Sequence, residues 1–386
     1  MSDIIHIATD EKFINNANWL FEESFPGKNQ FYILVPEKDS VLIHVKEGRN
    51  ITKISQDTKS LKKLSSTVTT ESTLVIHGLF YHSSVFVNFL HSGIRVIWML
   101  FGKEYHENPK FKIQSTLYGN KTKSYFRLNS FSKNISRFVK NYFRDLFYLY
   151  TKSTLGPFKE IYKASKKVNF IGILYKEEFD EIAEVLKNKD VNFLKFSYYP
   201  IEKMVNNINA KVKGHNILLG NSSNMSGNHI DALDILKSKG IGDRKIICPL
   251  SYGDPKCAVL IEKYGVELFN NNFLPLINFM PLHEYNSYLE QCGIVIMNNY
   301  RQQAVGNIMT MLWMGAKVFL DKRNTTYNYL KRINVHIFSI NSDLNNSDAF
   351  NLLTEEQITH NRSILISEIG HEKLQQNLEN ASDIFI

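Results

Sequence analysis

Cysteine is scarce in this sequence, long apolar runs are missing, and the short signatures of most metal sites do not occur. The three cysteines, Cys248, Cys257 and Cys292, are odd in number and scattered through apolar surroundings. That pattern excludes a disulfide framework and reads as reduced core residues. There is no Cys-x-x-Cys and no His-Glu-x-x-His, and no two aspartates stand two residues apart, so neither a zinc signature nor an Asp-x-Asp metal motif is present. The most apolar stretches, such as Val96 to Phe101, fall far short of the roughly 20 residues of a membrane-spanning helix. The N-terminal residues are acidic where a secretory leader needs basic ones. The expectation is a cytoplasmic protein that touches a bilayer without crossing it.

What is present is an ordinary folded composition, 43% apolar and 22% charged, over 386 residues. That length exceeds what one core organises and favours two α/β domains with a cleft between them. The formal net charge is +8, and it is concentrated: residues 103 to 167 hold fifteen Lys or Arg against four Asp or Glu. The excess points this region at an anionic partner. Within it, Phe131, Ile135, Phe138, Tyr142 and Leu146 recur at helical spacing, with Lys133, Arg137, Lys140 and Arg144 displaced by two residues. Two readings fit this basic amphipathic helix: a solvated face over a core stripe, or an in-plane membrane or phosphate-binding surface.

Short apolar runs at Ile4–Ala8, Gln30–Val35, Ser40–His44, Ser72–His77 and Arg95–Leu100 predict strands, with a helix over Ser83–Leu90. Ile171–Tyr175 adds another strand, and Tyr199–Lys213 reads as the linker. Strands are then expected at 216–219, 245–250, 266–269, 294–298, 317–320 and 335–340. Helices are expected at 228–239, 255–264, 282–292 and 307–314, and again over the last thirty residues. The alternation predicts doubly wound parallel sheets, which bind ligands at the carboxyl ends of their strands. The expected division is 1–200, 201–345 and a helical segment 346–386 that crosses back to the first domain.

Two strand-to-helix loops are built for anions. Gly220-Asn221-Ser222-Ser223-Asn224-Met225-Ser226-Gly227-Asn228 offers backbone N–H groups ahead of a helix start, which suits a diphosphate or, equally, an ordinary capped turn. Tyr300-Arg301-Gln302-Gln303-Ala304-Val305-Gly306-Asn307 follows another apolar strand. Its arginine can grip phosphate bidentately and its glutamines can bond sugar hydroxyls, although a surface ion pair also accounts for Arg301. In the first half, His77 and Glu104 stand near strand ends, where either could act as general base toward an acceptor hydroxyl.

At these residues the sequence resembles the TDP-N-acetylfucosamine:lipid II N-acetylfucosaminyltransferase family, glycosyltransferase family 56. The likeness is carried by Gly220-Asn221-Ser222 with Asn228-His229-Ile230-x-Ala232-Leu233, by Pro249-x-x-Tyr252, and by Gly265-x-Glu267-Leu268-Phe269. Tyr285, Gln291-Cys292, Arg301-Gln302-Gln303-x-x-Gly306, His77-Gly78 and the Trp98 to His106 neighbourhood complete it. Where the family has Trp-Gly-x-Asp, this chain has Phe101-Gly102-Lys103-Glu104.

The resemblance implies a GT-B fold of two Rossmann-like domains facing a central cleft. It also implies a TDP-sugar donor, a 4-acetamido-4,6-dideoxyhexose, and an undecaprenyl-diphosphate-linked acceptor of common antigen, O-antigen or capsule synthesis. Donor contacts are then expected from Gly220, Asn221, Ser222, Ser223, Asn228, Arg301, Gln302, Gln303, Gly306 and Asn307. Tyr285 is expected among these donor contacts, Pro249, Ser251 and Tyr252 near the base, and Glu104 and then His77 as acceptor base. No metal or other cofactor is expected, and the basic segment 110–167 is expected to rest on the inner face of the plasma membrane. The rivals are a UDP- or GDP-sugar transferase, a basic nucleic-acid-binding protein and a non-catalytic sugar-nucleotide sensor.

Overall fold

The computed structural model describes residues 4–113, 116–126, 131–188, 190–205 and 207–386, with the side chains of 131–138 outside that description. In chain order the elements begin β1 (Ile4–Thr9), α1 (Ile14–Ser24), β2 (Asn29–Val35), β3 (Ile51–Ser55), α2 (Thr58–Ser65), β4 (Thr73–His77), α3 (Tyr81–Phe89), β5 (Arg95–Met99) and α4 (Lys103–His106). Next come α5 (Asn120–Tyr125), α6 (Phe131–Lys152), α7 (Pro157–Ala164), β6 (Phe170–Ile173), α8 (Lys176–Leu186), β7 (Asn192–Lys195) and α9 (Ile201–Met204). The later half holds β8 (Ile217–Leu219), α10 (His229–Lys239), β9 (Ile246–Pro249), α11 (Pro255–Phe269), β10 (Phe273–Leu276), α12 (Leu282–Glu290), β11 (Ile294–Met297) and α13 (Val305–Met314). It closes with β12 (Lys317–Leu320), α14 (Thr325–Arg332), β13 (Phe338–Ser339), α15 (Glu355–Ile369), α16 (His371–Glu379) and α17 (Ser382–Phe385).

Two parallel sheets result, ordered β3-β2-β1-β4-β5-β6-β7 and β10-β9-β8-β11-β12-β13. Every residue of β4, β8, β9, β11 and β12 is buried. Strands covered on both faces need continuous apolar runs rather than alternation, which is why these elements are legible as such. In each sheet the order reverses beside the first strand of its unit, between β1 and β4 in one and between β8 and β11 in the other.

The chain forms two compact units, 1–114 with 134–200 and 371–386, and 115–133 with 201–370. The tail thus returns to the first unit, and Phe385 packs against Phe21 and Phe25 there. Unlike the expected division at 200, residues 115–133 belong to the second unit. Asp231 accepts from the Lys121 and Thr122 amides and from the Thr122 hydroxyl, while Asn228 accepts from the Gly119 amide and donates to the Leu117 carbonyl.

Three expected elements are corrected. Residues 40–44 are not a strand; Asp10 collects the amides of Ile43, His44 and Val45, which are then unavailable to a ladder, and β3 follows at 51–55 instead. Residues 266–269 complete α11, whose buried Cys257, Ala258, Ile261 and Gly265 keep one helical face inward. The strand is β10, a few residues later. On α6, Tyr142 is exposed while Arg144 turns inward to lie 4.2 Å over the Phe158 ring, and Asp145 pairs with Lys159 at 2.8 Å. The outward face therefore carries Val139, Tyr142, Phe143, Phe147, Leu149 and Tyr150. Phe131, Ile135, Phe138, Lys133 and Arg137 lie outside the described side chains.

Candidate functional site

In the second unit, the loops after β8 and β11 flank the point where strand order reverses, the place where doubly wound sheets hold ligands. Side chains tie them together. Ser226 donates to Gln303 Oε1 at 2.8 Å, Asn299 Nδ2 donates to the Ser226 carbonyl at 3.1 Å, and Asn228 and Asn298 exchange side-chain-to-carbonyl bonds at 3.0 and 3.2 Å. Asn324, before α14, donates to the Asn299 carbonyl. A third loop joins through Ser223, whose amide and hydroxyl both donate to the Tyr252 carbonyl, at 2.8 and 3.0 Å.

Gly220 makes the first loop possible. Its φ of +68° is open only to glycine at low cost, and a Cβ there would lie 2.3 Å from His229 Nε2. His229 opens α10, is 2% exposed, and neither ring nitrogen has a hydrogen-bond partner. Burial holds its pKa down to about 4, so the ring is neutral at pH 7. Asn299 Oδ1 is likewise buried without a partner. Each such atom costs about 1–3 kcal/mol.

The predicted donor residues divide into groups. Ser222 is buried and accepts from Asn224 Nδ2; Gly220, Ser223 and Pro249 are also buried, while Asn221, Arg301, Gln302, Gln303 and Asn307 are half-buried around the same junction. Gly306 is exposed, with nothing within 4 Å of where a Cβ would stand. Ser251 and Tyr252 are exposed on the third loop. One does not fit as a ligand contact. Asn228 is fully buried and spends its amide on Gly119, Leu117 and Asn298, so it is a structural joint. Tyr285 lies half-buried on α12, its hydroxyl pushed up by burial and by Cys292 and Cys248.

Sequence reading gave no role of their own to Asn298, Asn299, Asp231, Tyr300 and Arg323. The last three line a cavity of about 490 Å³ with Thr116, Tyr118, Gly119, Asn120 and Lys123. Arg323 lies 3.3 Å over the Tyr300 ring and binds Asp321 bidentately at 2.7 Å. Burial would push Asp321 up, but Arg323 holds its carboxyl below the usual carboxylate range. The Asn298-Asn299 pair directly after a buried strand was the available signal.

In the first unit, His77 ends β4 but is 1% exposed. Asn29 uses its amide nitrogen on Phe21, Glu22 and Phe25, so its oxygen accepts from His6 Nε2. His6 Nδ1 then accepts from His77 Nε2 at 3.0 Å, and His77 Nδ1 accepts from the Tyr198 hydroxyl at 2.8 Å. The chain is satisfied with both rings neutral, in keeping with burial driving His77 to about 3 and His6 well below 6.5. The His77 lone pair is occupied, which argues against its direct use as a base.

Glu104, in α4, is 4% exposed. Its Oε1 accepts from Trp98 Nε1 at 3.1 Å and the Phe101 amide at 3.0 Å, and Oε2 has no partner. Burial raises its pKa against those hydrogen bonds.

Among solved structures, E. coli trehalose-6-phosphate bound with UDP-2-fluoro glucose aligns with a TM-score of 0.63 and 10% identity, over 99% of this chain and 98% of that one. The UDP-forming alpha,alpha-trehalose-phosphate synthase of Burkholderia xenovorans aligns at 0.58 and 6% identity over 99% of each chain. Sucrose-phosphate synthase of Thermosynechococcus elongatus aligns at 0.58 and 8% identity over 99% and 98%. These likenesses show the GT-B fold. The family model for 4-alpha-L-fucosyltransferase, glycosyl transferase group 56, matches residues 171–367, more than half of the chain and nearly all of the unit that carries the loop junction. The chain belongs to that family and is a glycosyltransferase, taking a nucleotide-sugar donor and an acceptor.

Proposed function

We propose that the enzyme transfers a 4-acetamido-4,6-dideoxyhexose from a TDP-sugar to an undecaprenyl-diphosphate-linked saccharide at the inner face of a bacterial membrane. The observation that carries the reading is the junction of the loops after β8 and β11, closed by the Ser226 to Gln303 bond at a switch point of the sheet. Gly220, Asn221, Ser222, Ser223, Arg301, Gln302, Gln303, Gly306 and Asn307 would surround the diphosphate and sugar. The charge that develops on the departing nucleoside diphosphate would then be met by Arg301, loop amides and the starts of α10 and α13. Pro249, Ser251 and Tyr252 would border the base.

Glu104 is the group assigned to activate the acceptor hydroxyl, because Oε2 is unclaimed while Oε1 fixes the carboxylate plane. His77 enters only as a positioning residue, through Tyr198. The membrane reading is supported by the exposed aromatic face of α6 and by Val41 and Ile43, 85% and 83% exposed, in a segment flanked by lysines.

Thermal stabilisation by TDP, UDP, GDP and CMP tests the donor, since a ligand that binds only the folded state raises its melting temperature. The largest shift is expected with TDP, followed by turnover of TDP-4-acetamido-4,6-dideoxygalactose on a lipid-diphosphate saccharide. A larger shift with UDP or GDP would replace the nucleotide in this reading, and no shift with any of them would overturn it.

A further inference from the structure

At the mouth of the β8 to α10 loop, nearly every buried polar side chain has found a partner, except one ring. Asn228 is spent on Leu117, Gly119 and Asn298, and Ser226 on Gln303. His229, the next residue, is enclosed between two glycines: a Cβ at Gly220 would stand 2.3 Å from Nε2, and one at Gly227 would stand 2.3 Å from Cε1. Both positions keep an imidazole in place without giving it a hydrogen bond, since Nδ1 and Nε2 are both buried and unpartnered. The helix it opens has eleven residues and no side-chain cap at Asn228. Close by, Asn299 is held by its Nδ2 to the Ser226 carbonyl, and its Oδ1 has no partner either.

Buried polar atoms of this kind are ordinarily satisfied by protein, water or ligand. Three of them converge on one loop at the ligand-binding edge of the sheet, where the partial positive charge of a helix start favours an anion. A neutral imidazole presents one N–H donor and one acceptor, and a carboxamide oxygen accepts. The matching ligand therefore offers anionic oxygens together with hydroxyls, as a sugar diphosphate does.

We propose that His229 binds the donor directly, its ring N–H donating to a diphosphate oxygen after Gly220 and Gly227 let the loop shift, with Asn299 Oδ1 accepting from a hydroxyl of the same ligand. The inference rests on the reading of this junction as the donor site. It adds a ligand-contacting residue and makes the recognised unit a phosphate group with an adjacent hydroxyl.

The test compares wild type, His229→Leu and His229→Asn for binding of TDP, UDP and the corresponding nucleosides by calorimetry, with melting temperatures measured without ligand. His229→Leu is expected to keep or raise the unliganded melting temperature, because no hydrogen bond is lost, and to weaken diphosphate binding at least tenfold while nucleoside binding stays within twofold. His229→Asn, which retains a donor, is expected to recover most of the loss. As a measurement independent of variant folding, the His229 ring nitrogen resonances of the wild-type protein are expected to move with TDP or UDP and not with nucleoside. Diphosphate affinity unchanged in His229→Leu, or ring resonances unmoved at saturation, would overturn the role of His229 and leave the donor site standing. Failure of the wild-type protein to bind any of these diphosphates would overturn both.

Discussion

At Glu104 one carboxylate oxygen is committed to Trp98 and the Phe101 amide and the other is not, so stability and reactivity separate in a single side chain. Glu104→Gln keeps an acceptor at Oε1 and removes the charge. Turnover is expected to fall about 100-fold or more, as for loss of a general base. Because burial raises the folded pKa above the unfolded one, ionised Glu104 opposes folding once pH rises through that raised value. Glu104→Gln should therefore melt higher than wild type at pH 8, with the gain shrinking toward pH 5. A lower melting temperature at pH 8 would contradict this. At Gly220, Ala must adopt a φ of +68° against the His229 ring, and a loss of about 2 kcal/mol is expected in urea unfolding, with nucleotide binding impaired.

At the scale of elements, residues 116–126 hold to α10 largely through Asp231. Asp231→Ala removes three hydrogen bonds, and a cost of about 1–3 kcal/mol is expected, with faster hydrogen exchange confined to this segment and the start of α10. Exchange rising evenly over the unit would show that the anchor is not local. On α6, the double change Phe143→Ser and Phe147→Ser removes exposed side chains, so melting should be unchanged while co-sedimentation with phosphatidylglycerol vesicles falls several-fold. Equal sedimentation would remove this face from the membrane reading. The orientation of α6 was not legible in its spacing, because the apolar stripe and the cations alternate regularly whichever side meets the protein. What turned Arg144 inward is the Phe158 ring of α7, a partner that periodicity cannot name. Strands β8, β9, β11 and β12 were legible for the converse reason: a strand covered on both faces writes its burial into every residue, whereas β10, half-buried at its middle residues, was not.

At the scale of the whole molecule, three buried neutral histidines couple folding to pH. His77, His229 and His6 are held to about 3, about 4 and well below 6.5 in the fold, and each regains its ordinary value when the chain unfolds. Depressed folded values mean that stability is full above pH 6.5 and is lost as pH falls from there toward 4. The urea midpoint is expected to drop markedly between pH 7.5 and pH 5, and less so in His229→Leu, which removes one of the three contributions. Equal midpoints at the two pH values in wild type would show that these rings are accessible to protons in the folded state.

The sequence by itself determined the doubly wound class, the fully buried strands of the second sheet and the two anion-suited loops, because these depend on apolar runs and on Gly, Asn and Ser at consecutive positions. Only the tertiary structure decided which polar groups are free. Asn228 and His229 are neighbours in a loop that invites either to bind a ligand, yet Asn228 is consumed by Leu117, 111 residues away, and by Asn298, 70 away. His229 has no hydrogen-bond partner on either ring nitrogen. A hydrogen bond is short in space and indifferent to distance along the chain, so its satisfaction cannot be read from local pattern.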